Sequence, residues 1–297
     1  MKYLFVINPK AGQKKGLHLK EVLHRKISWN KDIVFKVIAP HSTPELEKKV
    51  REEMEHENFS HVIAVGGDGT IKNILKALIY FENTKLGIIP SGTGNVLAAN
   101  LGISKNMDSA LNTIFHGKEK IIDIGLVNKK PFAVVAGVGL PTRIVESATR
   151  KEKMTFGHWA YFLHGIKELY LAKEHFFEIE IDGKQITTKA SAIFISNAVN
   201  FLSPFSPLAP QGSIDDGYLD VLIFKLKSLR EDFFGYLSFF VKYLRKNLEN
   251  EDKLQYFKAK NVKINSHEIM KVQADGAIVS QTPAEIEILP GKLKVMV

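Results

Sequence analysis

Residues 61–73 read His61-Val62-Ile63-Ala64-Val65-Gly66-Gly67-Asp68-Gly69-Thr70-Ile71-Lys72-Asn73. The apolar, β-branched run predicts a buried strand, and the residues after the glycines predict a helix reaching to about Tyr80. Glycines at a strand-to-helix turn permit positive φ and close backbone approach to a ligand. Successive N–H groups at a helix start attract phosphate. Asp68 is odd in a turn built only for shape, because a carboxylate beside phosphates repels them unless a cation or a proton transfer is involved. Taken alone, Gly-Gly-Asp-Gly is also ordinary tight-turn sequence.

One strand later, Leu86–Ile89 leads into Ser91-Gly92-Thr93-Gly94-Asn95 and a further helix, which makes two adjacent backbone cradles. Neither turn fits the GxxxxGK[ST] phosphate loop or the GxGxxG dinucleotide fingerprint. Upstream, the strand-like Tyr3–Ile7 ends in Asn8-Pro9-Lys10-Ala11-Gly12, followed by a helical stretch near Gly16–Ile27 and the run Ile33–Ile38. Ser42-Thr43-Pro44-Glu45 reads as a helix start, with Leu46, Val50 and Met54 repeating every four residues behind it. Strands alternating with helices predict an open parallel sheet covered by helices. Both glycine turns then fall at the C-terminal ends of strands, where such sheets hold ligands.

From about residue 120 the pattern changes to short β-rich segments: Phe132–Ala136, Phe176–Ile181, Ala190–Asn197, Leu219–Phe224, Val262–Ile264 and Ile286–Leu289. These predict an antiparallel sheet or sandwich, interrupted by helices near Phe156–Leu171 and Ser228–Asn247. No linker and no internal repeat separates the halves, so the expectation is two closely packed domains with a ligand cleft.

Of 297 residues, 45% are hydrophobic and 25% charged, which excludes disorder and low-complexity classes. Zero cysteines exclude disulfides, thiolate metal sites and a cysteine nucleophile. The ten histidines form no HExxH or close ligand pair. Forty-one Lys and Arg against 32 Asp and Glu leave a net charge of +9, which calls for an anionic partner: nucleic acid, a nucleotide or an acidic membrane surface. The start MKYLFVIN lacks a signal peptide's h-region and cleavage site, and no apolar stretch reaches spanning length. The expected location is cytoplasmic. Residues 225–246 carry Leu229, Phe233, Tyr236, Leu237, Phe240 and Leu244 at helical spacing, flanked by lysines and arginines. Such a helix packs on its own sheet or lies on an anionic bilayer.

GGDGT, then SGTGN, with NPKAG upstream, LAPQGSIDDGYLDV at 208–221 and QADGA at 273–277, resembles the diacylglycerol kinase catalytic-domain family of soluble lipid kinases, related to sphingosine kinases. The resemblance covers essentially the whole chain. It implies an α/β fold with an N-terminal open parallel sheet of the NAD kinase and phosphofructokinase type and a C-terminal β-sandwich-like domain. The implied division is 1–122 for a nucleotide-binding domain, to which the C-terminal strand 290–297 could return, and 123–289 for a β-rich substrate and Mg²⁺ domain. The implied activity is transfer of the γ-phosphoryl group of ATP to the hydroxyl of a diacylglycerol-like lipid. The lipid would be met at an anionic membrane surface, by a peripherally associated protein.

By the same resemblance, Asn8 and Ser42 or Thr43 contact the nucleotide. Gly66, Gly67, Asp68, Gly69, Thr70, Ile71, Lys72 and Asn73, with Ser91, Gly92, Thr93 and Asn95, surround its phosphates. A structural Mg²⁺ falls to the Asp216 carboxylate and the carbonyls of Ser213 and Tyr218, a donor set suited to a hard cation, although Asp215-Asp216-Gly217 is also plain β-turn chemistry.

Two positions depart from the family pattern. Asn73 stands where an acidic residue usually follows GGDGT, and Ala277 stands where the family's proposed proton acceptor, a Glu, completes Asp-Gly-Glu. Asp68 and Asp275 are the candidates to serve in its place. The alternatives are a catalytically impaired nucleotide- or lipid-binding regulator of the same fold and an NAD kinase, which should also carry a GSTAY-like motif that is absent here. A nucleic-acid partner would explain the basic charge but not the paired glycine turns, so none is expected. Edge strands of the second domain could pair two subunits into a homodimer.

Overall fold

The continuous apolar runs become strands buried on both faces, which requires cover on two sides. A computed structural model describes residues 1–8, 22, 33–40, 42–147, 168, 170–198, 212–225, 227 and 253–297. The helices expected near 16–27, 156–171 and 228–247 lie almost wholly outside these residues, as do most of NPKAG and LAPQG. The chain divides into two compact units, one containing Met1–Ile124 and Pro290–Val297, the other lying between Gly125 and Leu289.

The first unit runs β1 (Lys2–Ile7), β2 (Val34–Ile38), α1 (Thr43–His56), β3 (His61–Gly66), α2 (Asp68–Leu78), β4 (Lys85–Pro90), α3 (Val96–Asn100), α4 (Met107–His116) and the start of β5 (Glu119–Val127). Its sheet has the order β2-β1-β3-β4, all parallel. Ala110, Leu111 and Ile114 of α4 pack with Tyr3, Phe5, Ile63 and Ile89 of the strands. A fully buried side chain of this size contributes about 1.5–3 kcal/mol. Helix α1 starts as its sequence indicates: the Ser42 hydroxyl accepts the Glu45 amide, and Leu46, Val50 and Met54 are buried. Ion pairs Glu45–Lys49 at 2.7 Å and Lys48–Glu52 at 3.6 Å add the expected i,i+4 support.

The second unit holds β6 (Lys130–Phe132), β7 (Val135–Gly139), α5 (Leu140–Ser147), β8 (His175–Ile181), β9 (Lys184–Ala190), β10 (Ala192–Ser196), β11 (Leu219–Phe224), β12 (Leu254–Ala259), β13 (Asn261–Ser266), β14 (Lys271–Ala274), β15 (Ala277–Gln281) and most of β16 (Ala284–Met296). One antiparallel sheet has the order β12-β11-β10-β7-β14-β15, and a second places β13 between β8 and β16, with β9 beyond β8. Val138, Ile193 and Val221 of the first sheet share one core with Phe177, Ile179, Val262 and Ile286 of the second. The unit is therefore a sandwich. The end of β16 belongs to the first unit, where Lys294 and Val295 pair in parallel with Lys85 and Leu86 of β4.

Two segments read as single strands are split. Ala133 and Val134 leave the ladder between β6 and β7 because their amides are given to the Asp275 carboxylate. Ser191 separates β9 from β10, its amide bonding the Phe224 carbonyl.

Candidate active site

Strand β3 ends in Gly66, and β4 ends one step away, where the Ser91 amide donates to the Gly66 carbonyl at 3.0 Å. The two glycine turns touch through their backbones. A Cβ on Gly67 would lie 2.9 Å from the Gly92 Cα, and one on Gly92 would lie 2.5 Å from the Gly67 Cα. No side chain fits between them, so glycine is required at both positions for contact rather than for φ.

The second turn is closed by its own asparagine. Asn95 is buried at φ 55°, its Oδ1 accepts the Gly92 amide at 3.0 Å, and its Nδ2 donates to the Gly92 carbonyl at 2.7 Å. With that side chain committed, Asn95 cannot cap α3. The Val96 amide, at the start of α3, is capped from the other turn: Asp68 Oδ1 accepts it at 2.7 Å. Asp68 itself is the first residue of α2, where a negative charge is favoured by the helix dipole. The Asp68 side chain is half-buried.

Several residues expected to touch phosphate instead build the loop. Thr70 is 2% exposed, and its hydroxyl accepts the Asn8 side-chain amide at 3.1 Å. Asn8 also donates its backbone N–H to the Val65 carbonyl. Asn73 is buried and donates to the Gly69 carbonyl at 2.6 Å, tying the first turn of α2. Ile71 is a core residue. The positions left at the surface are Gly69 and Thr93, which are exposed, and Gly67, Lys72, Ser91, Gly92 and Gly94, which are half-buried. The Ser42 hydroxyl is the cap of α1, and the Thr43 side chain lies outside the described residues.

Asp275 has a different setting. Asp275 and Gly276, at φ 44° and 73°, form the two-residue turn of the β14–β15 hairpin, with Ala274 paired to Ala277. Its carboxylate accepts three backbone amides, from Ala133 at 2.7 Å, Val134 at 3.1 Å and Val135 at 3.0 Å. The β8–β9 hairpin repeats the device: Asp182 and Gly183, at φ 46° and 85°, make the turn, and the Asp182 carboxylate accepts the amides of Lys260 and Asn261. The geometry thus makes Asp275 a backbone clamp, and Ala277 offers only a methyl group.

At the expected metal turn, Asp216 Oδ1 accepts the Tyr218 amide at 3.0 Å and Oδ2 lies 2.6 Å from the Lys258 ammonium. Lys258 is held above its usual range by that bond. The Ser213 hydroxyl bonds Asp215. Next door, burial pushes the Asp220 carboxyl up, and the Tyr256 hydroxyl donates to it at 2.5 Å. Among the described residues no three His, Asp or Glu converge on a metal position. The implied site has one carboxylate and two backbone carbonyls, and a divalent ion there would have to displace the Lys258 ammonium from Asp216; no chemical step is routed through that turn.

Comparison with known proteins agrees with this architecture. Residues 2–127 match the family described as diacylglycerol kinase catalytic domain, and residues 133–297 match the YegS C-terminal NAD kinase beta sandwich-like domain. A diacylglycerol kinase of Bacillus subtilis (strain 168) is 34% identical over 229 residues, covering 76% of this chain and 74% of that protein. A crystal structure described as a diacylglycerol kinase from Bacillus anthracis str. Sterne superposes with a TM-score of 0.78 at 26% identity, over 99% of this chain and 96% of that one. An NAD kinase from Archaeoglobus fulgidus in complex with ATP shares the fold at a TM-score of 0.54 and 12% identity, over 100% and 94% of the two chains. With both halves matched and a relative above 30% identity covered over most of its length, the chain belongs to the diacylglycerol kinase catalytic-domain family.

Proposed function

We propose that the chain is an ATP-dependent lipid kinase, transferring the γ-phosphoryl group of Mg-ATP to the hydroxyl of a diacylglycerol-like lipid. The observation that supports this most is the pair of glycine turns packed backbone to backbone and bridged by Asp68. Together they offer a polyphosphate the dipole of α2 and a rim of small residues that lets it approach the backbone.

In the transfer, the lipid hydroxyl oxygen bonds to the γ-phosphorus while the bond to the β–γ bridging oxygen breaks. ADP leaves with that electron pair, and the hydroxyl proton passes to the Asp68 carboxylate. A divalent cation bound with ATP would supply charge neutralisation at the phosphate oxygens. Phosphoryl transfer depends mainly on positioning and charge stabilisation, and a general base adds about 10²–10⁴-fold. An alanine at position 277 is therefore compatible with turnover.

The second reading, a nucleotide-binding regulator without transfer, is favoured by Ala277. Incubation with Mg-ATP labelled at the γ-phosphate and a mixed lipid extract separates the two. Label in a lipid with the wild-type chain supports the kinase and names the substrate class. Label only with Ala277→Glu supports the regulator, and bound ATP with no label from either variant rejects the kinase.

A further inference from the structure

The β8–β9 hairpin keeps an unbroken register from Ile181 opposite Lys184 to His175 opposite Ala190. Strand β9 ends its sheet, so among the described residues no strand lies along its second edge. The two-residue turn Asp182-Gly183 decides which groups that edge presents. Residues flanking such a turn exchange both backbone bonds, and bonded pairs then alternate along an antiparallel ladder. Lys184, Ile186, Thr188 and Ala190 therefore commit their amides and carbonyls to β8, whereas those of Gln185, Thr187 and Lys189 point outward. Among the described residues no backbone bond reaches the outward groups. The Lys189 carbonyl takes the Thr188 hydroxyl at 3.3 Å, which leaves it a second lone pair. All three outward residues are exposed.

The edge of the other sheet, β15, is treated in the opposite way. Its register shifts at a bulge, the Lys130 ammonium donates to the Val279 carbonyl, and Asn128 Nδ2 donates to the Ser280 hydroxyl at 2.7 Å. A bulge and a covering lysine stop an edge from recruiting another strand. Strand β9 has no bulge and no proline, and a threonine stands at the middle of its outward row. This edge is also complementary to itself. A two-fold axis through Thr187 sets Thr187 against Thr187 of the partner subunit, Gln185 against Lys189 of the partner subunit, and Lys184 against Ala190 of the partner subunit. Every outward residue then meets an outward residue, for about six backbone hydrogen bonds. Moving the axis to Ile186 or Thr188 leaves one of the three without a strand residue opposite. No lysine faces a lysine in this register. Gln185 lies opposite Glu180 within the hairpin, and its Nε2 donates to the Glu180 carboxylate at 2.7 Å. The partner's Lys189 thus enters a row that ends in a carboxylate, a favourable cross-strand charge.

We propose that two copies of this chain pair β9 to β9 about Thr187, extending the sheet of the second unit through the dimer axis. Such an isologous contact closes on itself and leaves no edge for further growth. The proposal is independent of phosphoryl transfer, because β9 lies wholly in the second unit and contains none of the glycine-turn residues.

The test is sedimentation velocity of the full chain over a range of concentrations, where a monomer–dimer equilibrium is expected. Thr187→Pro removes an amide that bonds nothing in β8, so the circular dichroism of the folded chain should be unchanged. The dimer should weaken by about 10²-fold. Because the chain has no cysteine, oxidation reads the register directly. Thr187→Cys brings two thiols to an axis where paired Cα atoms lie about 5.5 Å apart, within disulfide range. Gln185→Cys alone leaves its two copies about 14 Å apart along the strands. Oxidised Thr187→Cys should run as a covalent dimer, as should Gln185→Cys/Lys189→Cys, and Gln185→Cys should stay a monomer. A chain that is monomeric at every concentration, or a dimer that survives Thr187→Pro, overturns the proposal. Equal cross-linking of Thr187→Cys and Gln185→Cys overturns it too, and these two variants decide alone if Thr187→Pro does not fold.

Discussion

Asp68 on the first glycine turn accepts the backbone N–H of Val96 beyond the second, at 2.7 Å. One carboxylate thus caps α3 and sits at the start of α2, so the spacing of the two turns is set by the same group proposed to take the substrate proton. Asn95, the nominal cap of α3, is spent on closing its own turn.

Gly92→Ala forces a methyl to within 2.5 Å of the Gly67 Cα, and Gly67→Ala creates the mirror clash at 2.9 Å. Each should cost about 1–3 kcal/mol and weaken nucleotide binding. Gly69→Ala meets nothing within 4 Å and should fold as the wild type does. Urea unfolding of the three variants checks the ordering.

Asp275→Ala leaves the amides of Ala133, Val134 and Val135 without their acceptor, and should destabilise the chain by about 1–3 kcal/mol. Asp182→Ala, which strips the equivalent clamp from Lys260 and Asn261, should act in the same direction. Turnover that collapses in Asp275→Ala at unchanged stability would speak for a chemical role instead.

In the absence of nucleotide, Mg²⁺ or a chelator should leave the wild-type melting temperature in place, because Lys258 already neutralises Asp216 at 2.6 Å. Lys258→Met should lower stability by about 1 kcal/mol and should make the protein respond to added Mg²⁺. A wild-type chain stabilised by Mg²⁺ under these conditions would show that the ion displaces the ammonium.

His61 is buried and stacked on Tyr3 at a centroid distance of 4.4 Å. Burial above all, then the positive charges of Lys85 and the N-terminal amine, push its pKa down from 6.5 to about 4. Above pH 6.5 the ring is neutral folded or unfolded, so it contributes no slope. As pH falls from 6.5 towards 4, the unfolded chain binds a proton that the folded chain refuses. Stability then drops by about 1.4 kcal/mol per pH unit. Denaturation midpoints across this window should show the slope, and His61→Gln should flatten it.

Local sequence carries the first unit well. Short apolar runs without alternation, such as Val62–Val65 and Leu86–Ile89, read as strands covered on both sides because they are brief and the glycine clusters mark where they end. The site's internal wiring is less legible because its partners are distant in sequence. Thr70 reads as a phosphate-facing hydroxyl until Asn8, 62 residues earlier, is seen to claim it. Asp275 reads as chemistry because of its place in a motif, whereas Asp-Gly between strands is equally a hairpin turn. Its acceptor role is visible only once β6 and β7, some 140 residues away, are beside it. Asp216 shows the same limit, since nothing near it in sequence announces Lys258.

The most direct test is Asp68→Asn, which keeps an oxygen to accept the Val96 amide and removes the carboxylate charge. Transfer of γ-labelled phosphate to lipid and thermal unfolding should be measured on the same preparation beside the wild type. The account predicts a melting temperature close to wild type with transfer reduced by about 10²–10⁴-fold. Undiminished transfer by a folded Asp68→Asn chain would contradict it.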